Sequence, residues 1–383
     1  MLKKVGYNPS FAGAVEAVAS TGGQILPPVM GAGAFIMAEF LQISYSSVVI
    51  VAIVPAILYF LGVFLMVDLE AVRLDLKGSK SEDKASTVIL SRLHLIIPIL
   101  LLVYLLVITK VSVARAGLLT IASCVIVSWF NKKGERMGPK KFIVALIEGA
   151  DSTVSIAAIC TVAGVVTGIL GMTGLANRFT ALIVGLAGNN TLLVCAFTAL
   201  VVMILGMGLP TTASYIIGMS IGVPSLVAIG ITPIAAHLFV FYYACLSAIT
   251  PPVGGAFYAA SAIADAPVMR TGILSVKLGI GAYIVPFFFV FSPELLLQGA
   301  FIQMIQPIIT SVIGIICISV ALEGIFFTRH KIMIWQRIFL AVAAVCLFDP
   351  KGFTDIVGIV IIAVCLGFSI VYQAITKKKP VSG

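Results

Sequence analysis

Charged side chains are scarce in this chain. Asp, Glu, Lys and Arg together make up 10% of its 383 residues, whereas the hydrophobic residue types make up 61%. A soluble domain has about 25% charged residues, because most of its surface faces water. A composition with so little charge excludes an ordinary soluble domain, and we expect the chain to lie in a lipid bilayer.

Two common enzyme motifs, and the cysteine and histidine spacings of metal or redox sites, are also missing from the sequence. It contains no GxxxxGK[ST] phosphate-binding loop and no HExxH zinc motif. Seven cysteines are spread through apolar stretches, and none forms a CxxC pair or stands near a histidine at metal-ligand spacing. We therefore expect a protein that is not an enzyme, in which the cysteines pack as small apolar residues.

Long apolar runs dominate what is present. A membrane-spanning helix needs about 20 mostly apolar residues, and continuous rather than alternating hydrophobicity indicates helices instead of strands. The runs lie near 44–66, 93–109, 114–130, 154–172, 179–205, 234–249, 255–264, 273–291, 306–327, 336–348 and 354–372. The 255–264 run is too short to span and is expected to continue from an irregular neighbour. The sequence predicts an all-α, polytopic membrane protein.

The formal net charge of +9 first suggests a nucleic-acid partner. The positions of the basic residues favour another explanation, because three short segments hold many of them: Lys132 to Lys141, Arg329 to Arg337 and Lys377 to Lys379. Short loops rich in Lys and Arg mark the cytoplasmic side of a membrane. We therefore predict that these segments, including the C-terminus, are cytoplasmic, and that no nucleic acid binds.

An internal repeat is visible within the chain itself. Residues 230–262 match residues 6–38 without a gap, at a shift of 224 positions. The matched residues include Gly6 with Gly230, Pro9 with Pro233, and Pro27-Pro28-Val29 with Pro251-Pro252-Val253. Chance similarity explains shared alanines, but it does not explain a Gly-x-x-Pro followed at the same distance by Pro-Pro-Val-x-Gly-Ala. Paired segments interrupted by Pro and Gly at matching positions are typical of secondary transporters.

The Pro-Pro pairs predict broken helices, because each pair removes backbone donors and blocks the helix around it. At membrane depth such backbone persists only where it is buried in protein or lines a cavity. Further breaks precede the second copy, at 205–214 and 222–224, and predict a re-entrant hairpin with a Thr-Thr tip. The first copy's hairpin would precede Met1, so the repeat predicts a transporter chain that is incomplete at its N-terminus.

Three stretches resemble a known transporter family. They are VEAVASTGGQILPPVMGAGAFIMAEFL at 15–41, LGMGLPTTASYIIGMS at 205–220 and AAHLFVFYYACLSAITPPVGGAFYAASAIA at 235–264. Over roughly residues 1–300 the chain closely resembles the large membrane subunit of TRAP transporters (tripartite ATP-independent periplasmic transporters), in the variant with fused membrane subunits. The tail, with LEGIFF and FDPKGFTDIVGIV, is similar to the C-terminal extension of those fused permeases.

The resemblance implies a sodium-coupled importer with inverted repeats and an elevator movement. In such a system a periplasmic receptor, of the TAXI type for the fused variant, delivers a small anionic solute such as an organic acid or an amino acid. Sodium is the coupling ion, and no other cofactor is expected. The other partner is a small four-helix membrane subunit or the missing N-terminal fused region.

In the family, the hairpins and the broken helices after them hold sodium and substrate, and matching positions here are expected to do the same. The expected sodium ligands are Thr21, Gly22 and Gly23 (next to Ser20) in the first copy and Gly206, Ser247, Thr250 and Gly254 in the second. The expected substrate-binding residues are Thr211, Thr212, Ser214, His237, Pro251 and Pro252. Structural readings stay open: a kinked helix, hydroxyls that bond within their own span, and a packing histidine.

Five carboxylates stand in or beside apolar runs, and an ionised carboxylate is costly to bury in a membrane. They are Glu16, Glu39, Glu148, Asp151 and Asp265. Glu16 is favoured as a functional residue because it precedes the first broken segment. The other four fit an interfacial position equally well.

The chain divides into five predicted segments, and its function has two competing readings. The segments are a remnant of the first repeat (1–66), a polar linker (67–92), connecting transmembrane helices (93–145), a second repeat (146–300) and a C-terminal accessory domain (301–383). Broken helices also build the selectivity filters of channels, and an incomplete copy would be a non-transporting remnant or a membrane scaffold. Coupled, saturable uptake would distinguish a transporter from both.

Overall fold

The computed structural model describes residues 2–76, 92–131, 136–188, 190–326, 332–347 and 352–377. Within these ranges most residues are helical and no β-strand forms. The predicted all-α class is therefore confirmed. Continuously apolar segments become helices because a helix satisfies backbone N–H and C=O groups within its own segment, where no water is available to do so.

The helices follow one another with short connections. The first part contains α1 (Leu2–Val5), α2 (Pro9–Gly23), α3 (Ala32–Leu41), α4 (Tyr45–Arg73), α5 (Ile97–Val103) and α6 (Val113–Ser128). The middle contains α7 (Pro139–Met172), α8 (Leu175–Ala187), α9 (Thr191–Gly206), α10 (Thr211–Val227), α11 (Pro233–Leu246) and α12 (Gly255–Ala264). The last part contains α13 (Val268–Leu278), α14 (Ile280–Phe291), α15 (Phe301–Glu323), α16 (Ile334–Cys346) and α17 (Gly352–Lys377).

Four helical segments in the described part of the chain are long and apolar enough to cross a bilayer. They are Tyr45–Arg73, Pro139–Met172, Val268–Phe291 and Phe301–Glu323. The first has 29 residues. At 1.5 Å per residue it is about 44 Å long, more than the hydrocarbon thickness of about 30 Å. The shorter apolar helices have 10–17 residues.

One apolar run is not the single helix that hydropathy predicts. The run at 179–205 is divided between α8, which ends at Ala187, and α9, which begins at Thr191. Gly188 adopts a left-handed conformation with φ +57°, and the Asn190 side chain accepts hydrogen bonds from the N–H groups of Leu192 and Leu193. A glycine that ends one helix and an asparagine that caps the next outweigh continuous hydrophobicity.

The two copies of the repeat fold alike. In the first, α2 begins at Pro9 with 15 residues, the Pro27-Pro28 break follows, and α3 has 10 residues. In the second, α11 begins at Pro233 with 14 residues, the Pro251-Pro252 break follows, and α12 has 10 residues. Both Pro–Pro peptide bonds are cis. A longer helical segment comes after each copy, namely α4 after the first and α13 with α14 after the second.

The two copies pack against each other through glycines, with α2 against α12 and α13, and α3 against α10 and α11. A Cβ on Gly13 would lie 3.2 Å from both Ala264 Cβ and Thr271 Cγ2. A Cβ on Gly33 would lie 2.6 Å from the ring of Phe241. The helices on either side of the two breaks therefore pack into a core shared by both copies, whereas Val29, Pro252 and Val253 at the breaks themselves are exposed.

The C-terminal helices extend this core on one side. Helix α15 packs against α4, α16 against α15, and α17 against α16. Lys277 Nζ lies 2.8 Å from Glu323 Oε2, which ties α13 to the end of α15. The Arg337 guanidinium donates to the carbonyls of Ala321 and Leu322 at 2.6 and 2.9 Å, a favourable place for a cation at a helix C-terminus. The division into five segments remains a prediction.

Candidate functional site

The predicted hairpin is formed by α9 and α10, which pack along each other and are joined by residues 207–210. Gly208 supports the turn with φ +75°. Gly206 ends α9, and a Cβ there would clash with Ser214 Oγ and lie 2.8 Å from Ser247 Oγ. Only a residue without a side chain lets these two hydroxyls approach the end of α9 so closely.

The tip of the hairpin meets the second break in a group of buried oxygens. Ser247 Oγ donates to the carbonyl oxygen of Ala244 at 2.8 Å and lies 3.2 Å from the carbonyl oxygen of Gly206. Ser214 Oγ is fully buried beside them and has no hydrogen-bond partner among the described residues. A buried hydroxyl without a partner is costly, so this group of oxygens is a candidate ligand site. We call Gly206, Ser214 and Ser247 the tip cluster.

The second break removes a helical hydrogen-bond donor from a carbonyl oxygen near the tip cluster. In a continuing helix the carbonyls of Ser247 and Ala248 would accept from residues 251 and 252, but both are prolines and have no N–H. The Ser247 carbonyl accepts from the Thr250 N–H at 3.3 Å instead, so Ala248 is the residue whose carbonyl loses its helical donor. A Cβ on Gly254 would lie only 2.5 Å from the Ala248 carbonyl oxygen. Thr250 is held elsewhere, because its Oγ1 donates to the carbonyl of Leu246 at 2.7 Å and lies 2.7 Å from Tyr283 Oη.

The first break is arranged differently. Backbone N–H groups of Gln24 and Ile25 donate to the carbonyls of Thr21 and Gly22, at 3.1 and 2.9 Å. Tyr45 Oη lies 2.9 Å from the carbonyl oxygen of Pro28. Thr21 and Gly22 are buried, whereas Gly23 and Ser20 are exposed, and Ser20 Oγ donates to Glu16 Oε1 at 3.2 Å. Several carbonyls of this break therefore already have partners.

The predicted substrate-binding residues do not form one group. Thr211 and Thr212 are partly buried in the first turn of α10, which has no side-chain cap, so its first N–H groups remain open to an acceptor. Ser214 joins the tip cluster instead. His237 is buried, and its Nδ1 lies 2.7 Å from Tyr215 Oη. Pro251 is partly buried, and Pro252 is exposed with its carbonyl 3.3 Å from Tyr258 Oη.

A comparison with family models shows which family the chain belongs to. The model for the family described as "tripartite ATP-independent periplasmic transporter, DctM component" matches residues 1–304 of the 383-residue chain. The chain belongs to this family. The predicted resemblance to a TRAP large membrane subunit is thereby confirmed, and a DctM component is a transporter permease and not an enzyme. A search of the curated proteins finds no match to the chain.

Membership of the DctM family implies coarse features of the protein. It is a multi-pass membrane protein, and its family acts together with a periplasmic receptor and a small membrane subunit. The matched range 1–304 includes both broken helices, the hairpin and the tip cluster. The C-terminal helices α16 and α17 lie outside that range.

The five carboxylates singled out in the sequence are exposed in this DctM chain, including Glu16. Three others, Glu70, Glu323 and Asp355, are buried, with exposed fractions of 4%, 5% and 6%. Sequence reasoning missed them although Glu323 and Asp355 lie in the apolar runs 306–327 and 354–372, and all three lie in the first or last turn of a helix. The i,i+3 spacing of Glu70 and Arg73, whose ion pair measures 2.6 Å, is the one local signal that pointed to a paired carboxylate.

A short motif in the middle of α10 matches the sequence pattern of a hydrolase nucleophile site but does not have its structure. Residues 218–222 read GMSIG, which matches the GxSxG pattern of a strand-to-helix elbow. Here the serine, Ser220, lies inside α10, and its hydroxyl donates to the Ile217 carbonyl at 2.7 Å. Without the sharp turn that exposes the nucleophile, the match carries no catalytic meaning.

Proposed function

We propose that this chain is the permease of a sodium-coupled importer that takes organic acids or amino acids from a periplasmic receptor. The observation that carries the proposal is the buried, unpartnered Ser214 Oγ beside Ser247 Oγ and the Gly206 carbonyl. These three oxygens come from the hairpin and from the broken helix, and they meet only in the folded chain.

The tip cluster suits a monovalent hard cation. Its oxygens are neutral hydroxyls and backbone carbonyls, and the Ala248 carbonyl freed by the proline pair lies close to the same break. Unwound carbonyls next to broken helices are the groups that coordinate sodium in secondary transporters. Gly206, Ser247 and Gly254 keep the sodium roles expected for them, and Ser214 moves from the substrate group to the sodium group.

The start of α10 suits the carboxylate of a small solute. The N-terminus of a helix carries a partial positive charge and open N–H groups, and here Thr211 and Thr212 add two hydroxyls. Ser214 lies in the next turn of the same helix. A sodium ion at the tip cluster would therefore hold the start of α10 in place for the solute, which is a physical basis for coupling.

The wider assembly follows from the same proposal. An elevator movement would carry the hairpin and the broken helices across the membrane together. The receptor would be of the TAXI type, and a small four-helix membrane subunit or an equivalent region would complete the permease. The protein would lie in the bacterial inner membrane with a cytoplasmic C-terminus, because the basic segments favour that orientation.

Sodium binding by the purified protein tests the proposal. We expect Ser214→Ala to weaken saturable ²²Na⁺ binding about tenfold, a loss of about 1.4 kcal/mol. Ser220→Ala is the matched control, because Ser220 lies on the same helix and its hydroxyl donates within α10. The readout is ²²Na⁺ bound at increasing unlabelled sodium, in a potassium buffer. Absence of saturable binding, or equal affinity in wild type, Ser214→Ala and Ser247→Ala, would overturn sodium binding at the tip cluster.

A further inference from the structure

A polar cavity outside the tip cluster lies where three parts of the chain meet. It has a volume of about 180 Å³ and lies between the 3₁₀ turn Pro293–Leu296, the first three turns of α15 and the start of α17. Its polar lining consists of Ser292, Glu294, Gln303, Gln306, Thr310, Ser311 and Asp355. No Lys, Arg or His lines the cavity within the described part of the chain.

Two carboxylate oxygens in this cavity lack partners. Asp355 is 6% exposed. Its Oδ2 accepts a hydrogen bond from Gln306 Nε2 at 2.7 Å, whereas its Oδ1 is buried and has no hydrogen-bond partner in the described structure. Glu294 Oε2 is buried without a partner in the same way. Buried acceptors in this condition are costly unless something supplies positive charge or a donor.

We propose that this cavity binds a calcium ion. Every polar side chain that lines the cavity has an oxygen atom that can coordinate a cation. The two carboxylates balance the charge of one divalent cation. Ca²⁺ accepts six to eight oxygen ligands in irregular arrangements, whereas Mg²⁺ requires a near-octahedral set. Glu294, Ser311 and Asp355 come from three separate elements, so the ion ties α17 to α15 and to the end of α14.

The location suits an ion from outside the cell. The cavity lies at the start of α15, and the opposite end of this 23-residue helix is followed by the basic segment Arg329 to Arg337. That helix is about 35 Å long, so the cavity and the basic segment lie at opposite membrane faces. In the proposed orientation the cavity faces outward, where calcium modules bind with dissociation constants of about 10⁻⁴ to 10⁻³ M.

Calcium titration of the purified full chain, after treatment with a chelator, tests this proposal by calorimetry. We expect one Ca²⁺ per chain, and a loss of affinity of about tenfold or more in Asp355→Asn and in Glu294→Gln. Asp265→Asn is the control, because Asp265 is an exposed carboxylate at the end of α12. MgCl₂ is the second titrant and is expected to bind more weakly than CaCl₂.

Three results would overturn the calcium site: no saturable binding below about 10 mM, unchanged affinity in both carboxylate variants, or equal affinity for Mg²⁺. The thermal unfolding of each variant is first measured in the presence of a chelator, to show that the variant folds without calcium. If Asp355→Asn fails that check, Glu294→Gln and Ser311→Ala decide the outcome. Because none of these residues lies in the tip cluster, the result is independent of sodium binding there.

Discussion

At the scale of single residues, Gly206 is the position in the candidate site with the least room for a side chain. Its position allows Ser214 Oγ and Ser247 Oγ to lie against the end of α9, where any Cβ would clash with the first and lie 2.8 Å from the second. Neither hydroxyl ends a long flexible side chain that could move away. A glycine in a helix otherwise lowers stability relative to alanine by about 1 kcal/mol, so its presence here is explained by close approach.

We predict that Gly206→Ala destabilises the protein by about 1–3 kcal/mol, the usual cost of overpacking a well-packed site, and also weakens sodium binding. The matched control is Gly185→Ala. Gly185 lies within α8, and a Cβ there would meet nothing within 4 Å, so this change should be neutral or slightly stabilising. Thermal unfolding in detergent micelles measures both. A Gly206→Ala protein as stable as Gly185→Ala would contradict the close packing of the tip.

Residue types and spacing predicted where the helices break better than they predicted which residues meet there. The Gly and Pro positions indicated where helices break, because those residues act on their own backbone. The pairing of Tyr215 with His237 could not be predicted, since it joins residues 22 positions apart through the way α10 and α11 pack. Ser214 was expected to contact substrate, and only the position of α9 opposite α10 places it beside Gly206.

At the scale of elements, a buried ion pair fastens α13 to the C-terminal helices. Glu323 has a fully buried side chain, and Lys277 has one that is 28% exposed. The two residues are separated by 46 positions, so no local pattern predicted the pair. Removing one partner of a buried pair leaves the other charge uncompensated, which costs more than the pair contributes.

We predict that Lys277→Met destabilises the protein by about 3 kcal/mol and that the double change Lys277→Met with Glu323→Leu restores most of this loss. Arg178→Met is the control, because Arg178 is exposed on α8 and forms no ion pair with the described residues. Unfolding of the four proteins in one detergent is the measurement. If the double variant is less stable than Lys277→Met alone, the two side chains do not form a compensating pair.

At the scale of the whole molecule, orientation follows from the distribution of basic residues. The segments Lys132 to Lys141, Arg329 to Arg337 and Lys377 to Lys379 all favour the cytoplasmic face. All three segments include residues outside the described ranges, and the orientation therefore remains a prediction.

We predict that a fluorescent protein fused after Gly383 is fluorescent, because it folds in the cytoplasm, and that alkaline phosphatase fused there is inactive. Phosphatase fused after Lys351, which is one span earlier, is the control and should be active. The ratio of the two reporter activities at each position is the measurement. Active phosphatase after Gly383 would reverse the orientation and would place the calcium cavity at the cytoplasmic face.

The sequence alone determined that this chain lies in a membrane, is helical and contains two broken copies of one segment. These properties depend on hydrophobicity and on Gly and Pro acting over a few residues of backbone. Only the tertiary structure decided that the 179–205 run is two helices, that Glu323 and Asp355 are buried while Glu16 is exposed, and that Ser214 and Ser247 both lie against Gly206. Burial and partnership depend on which helix packs opposite a residue, and that is a property of the whole fold.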